Sequence, residues 1–128
     1  MLFRSQRDKG TLMCHYRHHA HDDPFALVGL QDITTHVDFS AVAEAGRVGS
    51  AQLLGYVNQA QFLINCGITD ILTQTPARDV ARYAPLAAAA QKLLSPAEMG
   101  ELFKVIALGK GIDAPLMGFS RGDKSHTL

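Results

Sequence analysis

"FKVIALG", Phe103–Gly109, decides how the rest of the chain is read. Val105, Ile106 and Leu108 form a nearly continuous apolar run closed by a glycine, the pattern of a strand buried on both faces. Such a strand needs neighbours. Upstream, "AQLLGYV" (Ala51–Val57) is the matching candidate, and "GTLMCHY", apolar and polar by turns from Thr11 to Tyr16, reads as a short third strand. Helical spacing separates these segments, so the class is α/β. Two good strands and one weak one are too little sheet for a self-sufficient doubly wound domain. The expectation is a single, partial domain over the 128 residues.

The helices are read from their ends. Phe39, Val42 and Ala43 fall at helical spacing, with Gly46 as stop and Asp32, Thr35 and Asp38 as alternative caps. Asn58 stands three residues before Gln61, a variant of the capping box, and predicts a helix from Gln59 to Asn65 stopped by Gly67. Thr69 would cap a further turn through Leu72. Thr75 and Pro76 open a longer helix with an apolar face of Val80, Tyr83, Ala87 and Leu94, which Pro85 should bend or split. "SPAE", Ser95–Glu98, carries the strongest local start signal and predicts a helix fading by Phe103. From His18 to Gln31 the text is polar, then broken by Pro24 and Gly29, and reads as a loop.

Lys+Arg and Asp+Glu number 12 each, so there is no basic excess of the kind a nucleic-acid partner requires. No run approaches the ~18 apolar residues of a membrane span. The opening "MLFRSQRDKG" has no apolar signal core, and Cys14 and Cys66 read as reduced thiols, so a cytoplasmic location is expected.

Chemistry-bearing residues concentrate in two places. "CHYRHHAHDD", Cys14–Asp23, offers Cys14, His15, His18, His19 and His21 as metal ligands, and a small metal-binding protein is one reading. Zinc wants about four converging N or S ligands, whereas strand parity divides these five and Arg17 sits among them. The plainer reading is a polar loop with some histidines bonded to nearby aspartates. The second place is "DITTHVDF", Asp32–Phe39, where two carboxylates flank hydroxyls and a histidine at a helix entry. Capping explains this simply. Such strand-to-helix loops also hold ligands in α/β sheets, and the carboxylates suit a cationic group such as a guanidinium. "GKG", Gly109–Gly111, follows a strand but precedes no helix, so a tight turn is expected rather than a phosphate loop. "RGD", Arg121–Asp123, is a chance triplet on this reading. No Gly-x-Ser-x-Gly elbow occurs, and Cys66 reads as a small core residue.

Four ordered blocks then carry a resemblance: "GTLMCHYRHHAHDDP" (Gly10–Pro24), "GLQDITTHVDF" (Gly29–Phe39), "GYVNQAQFLINCGI" (Gly55–Ile68) and "PLMGFSRGD" (Pro115–Asp123). Together they resemble the C-terminal third of the MidA-like family of class I S-adenosylmethionine (SAM)-dependent methyltransferases. That family includes a mitochondrial factor that methylates an arginine of a complex I subunit. The opening "FRSQRDK" departs from the family's wording. The resemblance implies the last part of a Rossmann-like sheet, whose final two strands are antiparallel neighbours joined by a helical insertion over residues 58–102. It implies SAM as cofactor of the full-length family, none held by this chain, and no activity in this chain alone. It also implies a substrate-side role for Asp32, Thr34, Asp38, Gln59 and Phe62, with His36 less secure because relatives carry an acid there. The function implied is part of a methyltransferase acting on a protein arginine. The alternative is a non-enzymatic interaction module derived from that family. The expected partners are a second copy of the chain or an upstream methyltransferase half.

Overall fold

The computed structural model describes residues 11–128. Residues 1–10, including "FRSQRDK" and Gly10 of the first block, lie outside the described residues. The fold is mixed α/β with small antiparallel sheets, and it divides into two compact units, one reaching to Ser40 and the other covering Ala41–Leu128.

The first unit is a three-stranded sheet in the order β2-β1-β3. β1 (Met13–Tyr16) pairs antiparallel with β2 (His19–His21) on one side and β3 (Asp32–Thr34) on the other. The reading of His18–Gln31 as a loop needs correction at its start. Tyr16 pairs with His19, so Arg17 and His18 alone make the turn, with φ of 46° and 68°. Two consecutive left-handed residues are what a tight hairpin requires, and Asn-Gly is the usual solution. Arg-His carries no such signature, although the Arg17 guanidinium lies over the Tyr16 ring, 5.4 Å from its centroid. Cys14, between His21 and Ile33 in the central strand, is the buried side chain among the described residues of this unit.

The second unit is built on β4 (Gln52–Asn58) and β5 (Lys104–Gly109), antiparallel neighbours as expected, with the helical segment between them. One extra residue, Leu54, bulges β4 between the Leu53–Leu108 and Gly55–Ala107 pairs. α1 (Phe39–Val48) enters from the end of the first unit and runs past Gly46, which is therefore not its stop. Gly46 lets Leu108 pack close to the helix, since a Cβ there would lie 2.8 Å from Leu108 Cδ1. The stop is Ser50, left-handed at φ 61°: Ala51 N–H reaches Gly46 O and Ser50 N–H reaches Arg47 O, a Schellman ending.

α2 (Gln59–Asn65) is the helix predicted, with Asn58 Oδ1 accepting from Gln61 N–H at 2.8 Å. Gly67, at φ 85°, ends α2 and opens α3 (Ile68–Thr73), so Thr69 lies inside that helix and does not cap it. The long helix α4 (Val80–Leu94) starts after Asp79, not at Pro76, because residues 76–79 close a turn through Asp79 N–H to Pro76 O. It continues unsplit through Pro85. Both Pro85 and Ala81, whose carbonyl loses its helical donor, are exposed, so water can take the bond. Tyr83, Ala87, Ala90 and Leu94 face inward, but Val80 is exposed.

"SPAE" starts no helix. Ser95 ends α4, and its carbonyl accepts from Glu98 N–H and Gly100 N–H in a tight turn. A Cβ at Gly100 would sit 2.2 Å from Leu94 O, so only glycine permits the turn. The turn then receives α2: Ala60 N–H reaches Gly100 O, and Gln59 N–H reaches Phe103 O.

The core is thin. Among the described residues Cys14, Val57 and Ala90 are the buried apolar side chains, against eighteen exposed large ones. β5 in particular is half-buried from Lys104 to Ala107 and exposed at Leu108, not covered on both faces. No helix among the described residues is long and apolar enough to cross a membrane.

Candidate functional site

The "DITTHVDF" segment is placed by β3 and by a small hydroxyl network. Register sets Met13 opposite Thr34, Cys14 opposite Ile33 and His15 opposite Asp32. Thr34 Oγ1 donates to Met13 O at 3.2 Å, Thr11 and Thr35 share a hydroxyl–hydroxyl bond of 2.7 Å, and His36 N–H donates to Thr11 Oγ1 at 3.1 Å. The extended segment after β3 is thereby pinned to the start of β1. Asp38 directly precedes α1 and is the one cap candidate adjacent to the helix start; Thr35 serves the hydroxyl network instead.

Alternation puts Met13, His15, Ala20, Asp32 and Thr34 on one face of this sheet, and all five are exposed. Asp32 and His15 are directly opposed there. An ionised carboxylate beside an imidazole, open to solvent, can accept charge-assisted bonds from a cationic group while the ring supplies a second polar contact.

Gln59 and Phe62 lie in the second unit and are engaged in packing. Gln59 Nε2 donates to Leu93 O at 3.0 Å, fastening the start of α2 to the end of α4. The Phe62 ring meets Phe119 edge-on, with centroids 5.5 Å apart and planes at 64°. It also fills the space over Gly118, where a Cβ would lie 2.2 Å from the ring. Of the five candidates, then, Asp32, Thr34 and Asp38 share one segment of the first unit, and the other two brace the second.

The histidine cluster is a hairpin, and this changes the parity argument. Cys14, His19 and His21 share one face, His15 takes the other, and His18 occupies the turn. Among the described residues no three His, Cys, Asp or Glu side chains are grouped to hold a metal ion. His21 Nε2 is buried without a hydrogen-bond partner, and so is Gln31 Oε1, whose amide nitrogen donates to Pro24 O.

Sequence reasoning missed the role of Asp123 in the "RGD" triplet. Asp123 Oδ1 accepts from Tyr56 N–H at 2.9 Å, Ser125 Oγ at 2.7 Å and Ser125 N–H at 3.1 Å, while Lys124 N–H donates to Tyr56 O at 2.7 Å. Burial works against the charge. The bonds from Ser125 and Tyr56, with His126 nearby, outweigh it and hold Asp123 below the ordinary carboxylate range. The available signal was Asp two residues before Ser, a common local turn.

Cofactor fit can be tested on the glycine-rich turn after β5. Gly111 is left-handed at φ 64°, and the next helical residues are a single 3₁₀ turn, Met117–Phe119. Among the described residues no α-helix follows this turn, so it is a tight turn and not a strand-to-helix anion loop.

The sequence model of a family described as "Putative S-adenosyl-L-methionine-dependent methyltransferase" matches residues 2–57. No curated protein matches. A crystal structure of an uncharacterized protein from Burkholderia thailandensis is 60% identical, with a TM-score of 0.89 over 98% of this chain and 34% of its own. A second, from the same organism and superfamily, has S-adenosyl-homocysteine bound and is described as a likely methyl transferase. It is also 60% identical, with a TM-score of 0.89 over 98% of this chain and 33% of its own. This chain therefore spans about a third of the length of the solved structures it matches. These likenesses support a methyltransferase family.

Proposed function

We propose that this chain contributes the substrate-side part of a SAM-dependent methyltransferase of the MidA-like kind, the C-terminal part of its Rossmann-like fold. On this reading the cofactor is held by a part outside the 128 residues, and the methyl acceptor is a protein arginine. The observation that carries the proposal is the relative with bound S-adenosyl-homocysteine, 60% identical over nearly all of this chain. Asp32 is the proposed acceptor-binding residue, with Asp38 at the helix entry as its companion. A guanidinium is a planar fork of donors that a carboxylate can orient bidentately, and orientation of the acceptor nitrogen is the main service such a site supplies. Thr34 and the Thr11–Thr35 pair hold the segment in place.

The experiment uses a chimera in which this chain replaces the third that it matches in the SAH-bound Burkholderia protein. SAH binding should be absent from the chain alone and present in the chimera by isothermal titration. Asp32→Asn in the chimera should lower transfer of labelled methyl from SAM to an arginine-rich peptide by about tenfold or more, with SAH affinity unchanged. Micromolar, stoichiometric SAH binding by the 128-residue chain itself would overturn the proposal.

A further inference from the structure

The turn of the first hairpin is built against backbone preference. Arg17 and His18 hold φ of 46° and 68°, where a Cβ crowds the following carbonyl and Asn-Gly would fit at less cost. Backbone held in this way persists where the side chains themselves are needed, and it clusters at sites that clamp a ligand. What this turn presents is a cation. Arg17, His18 and His19 are all exposed, and the Arg17 guanidinium lies over the Tyr16 ring, 5.4 Å from its centroid. Stacking on one face leaves the edge of the guanidinium, with its fork of N–H donors, open. Among the described residues no carboxylate forms an ion pair with it.

We propose that the Arg17–His18 turn binds an acidic side chain of the methyl-accepting protein, so that the preferred acceptor arginine has an aspartate or glutamate a few residues away. The owner of that acid rests on the function proposed above. The turn begins two residues after His15, which opposes Asp32, so both contacts belong to one small sheet. Tyr16 alternates to the other face from His15, and the acceptor segment would pass round the open end of the hairpin. At ~3.3 Å per extended residue this puts about three to five residues between acid and arginine. A carboxylate suits a lone guanidinium, whose parallel N–H groups match its two oxygens. A nucleic acid would need a basic excess, and Lys+Arg and Asp+Glu number 12 each.

Two peptides test this, each with a central arginine and either Glu or Gln about four residues to each side of it. Binding is read by fluorescence anisotropy on the 128-residue chain, and KM and kcat for methyl transfer on the chimera. The chain should bind the Glu peptide about fivefold more tightly, and the chimera should show that ratio in KM with kcat alike. Arg17→Gln should erase the ratio, and Arg17→Lys should restore part of it, because the charge returns without the fork. Replacing Arg17-His18 by Asn-Gly should erase it too while raising the urea midpoint, a split that a merely structural turn would not give. Equal binding of the two peptides would overturn the proposal, and so would displacement of the Glu peptide by an equal concentration of a short oligonucleotide. Methyl transfer to both peptides with equal KM would reject the acidic site and keep the function. A preference in binding by the chain, with no methyl transfer by a folded chimera, would leave the site standing and sink the function. Should the chimera not fold, binding by the chain decides.

Discussion

The two units hold themselves together by different means. The second has interlocking small residues: Gly55 lies under Phe119, Gly118 under Phe62 and Gly46 under Leu108. Its turns and helix ends are bonded to one another, and Asn65 Nδ2 alone reaches both Gly118 O and Arg121 O at 2.9 Å. Among its described residues the first unit has one buried apolar side chain, Cys14, and two buried polar atoms without partners. Phe25 is 84% exposed, Val28 73% and Leu30 67%. Apolar surface left in water forfeits roughly 25 cal/mol per Å² of the stabilisation its burial would give, so these described residues draw little support from one another. The lesson is that packing density, and not strand number, sets how firmly a unit is held.

The sharpest way to break this contrast is to add one carbon to each unit. Gly55→Ala places a methyl 2.2 Å from the Phe119 ring and must push the C-terminal segment off β4. A loss of about 3 kcal/mol is expected, read as a drop in the urea midpoint. Gly29→Ala meets nothing within 4 Å, and only its φ of 80° opposes the change. That should cost about 1 kcal/mol. Equal effects at the two positions would show the units to be packed alike.

The turn of the first hairpin gives the next largest effect, with the opposite sign. Replacing Arg17-His18 by Asn-Gly puts the two residues that adopt left-handed backbone most readily in the turn and should stabilise the hairpin by about 1–2 kcal/mol. Slower amide exchange in β1 and β2, with no change in β4 or β5, would confirm that the stress is local. No change anywhere would mean the turn is already relaxed.

That turn also shows what could be read from the residues and what could not. β4, β5 and α2 were legible because their signals are local: an apolar run, an asparagine three residues before a glutamine, a glycine that must be left-handed. The hairpin was hidden because its turn uses neither asparagine nor glycine. "SPAE" misled because Ser95 spends its carbonyl on a turn that Gly100 alone permits, a tertiary demand that outranks a helix-start signal. Gly46 looked like a helix stop because nothing local announces Leu108. At the candidate site, Asp32 and His15 were each visible, but their opposition depends on a strand register that spans 17 positions of sequence. Gln59 and Phe62 stood out as resembling family text. Only the structure shows their side chains committed to Leu93 O and to Phe119.

The smallest effect concerns Asp123 and separates a bonded segment from a merely adjacent one. Its carboxyl is held below its ordinary range in the folded chain. A depressed carboxylate contributes stability that is present above the unfolded value, about 3.9, and is lost as pH falls through the lower folded value. Asp123→Ala should therefore destabilise by about 1 kcal/mol near neutrality, the modest figure reflecting its exposure to solvent. The difference between the two urea midpoints should then shrink as pH falls below that range and vanish once both forms are protonated. The sign matters. Were the carboxylate merely adjacent to Tyr56 N–H and Ser125, burial would raise its pKa, and the gap between the midpoints would widen in acid. A gap that narrows in acid instead ties the closed edge of β4 to this one charge.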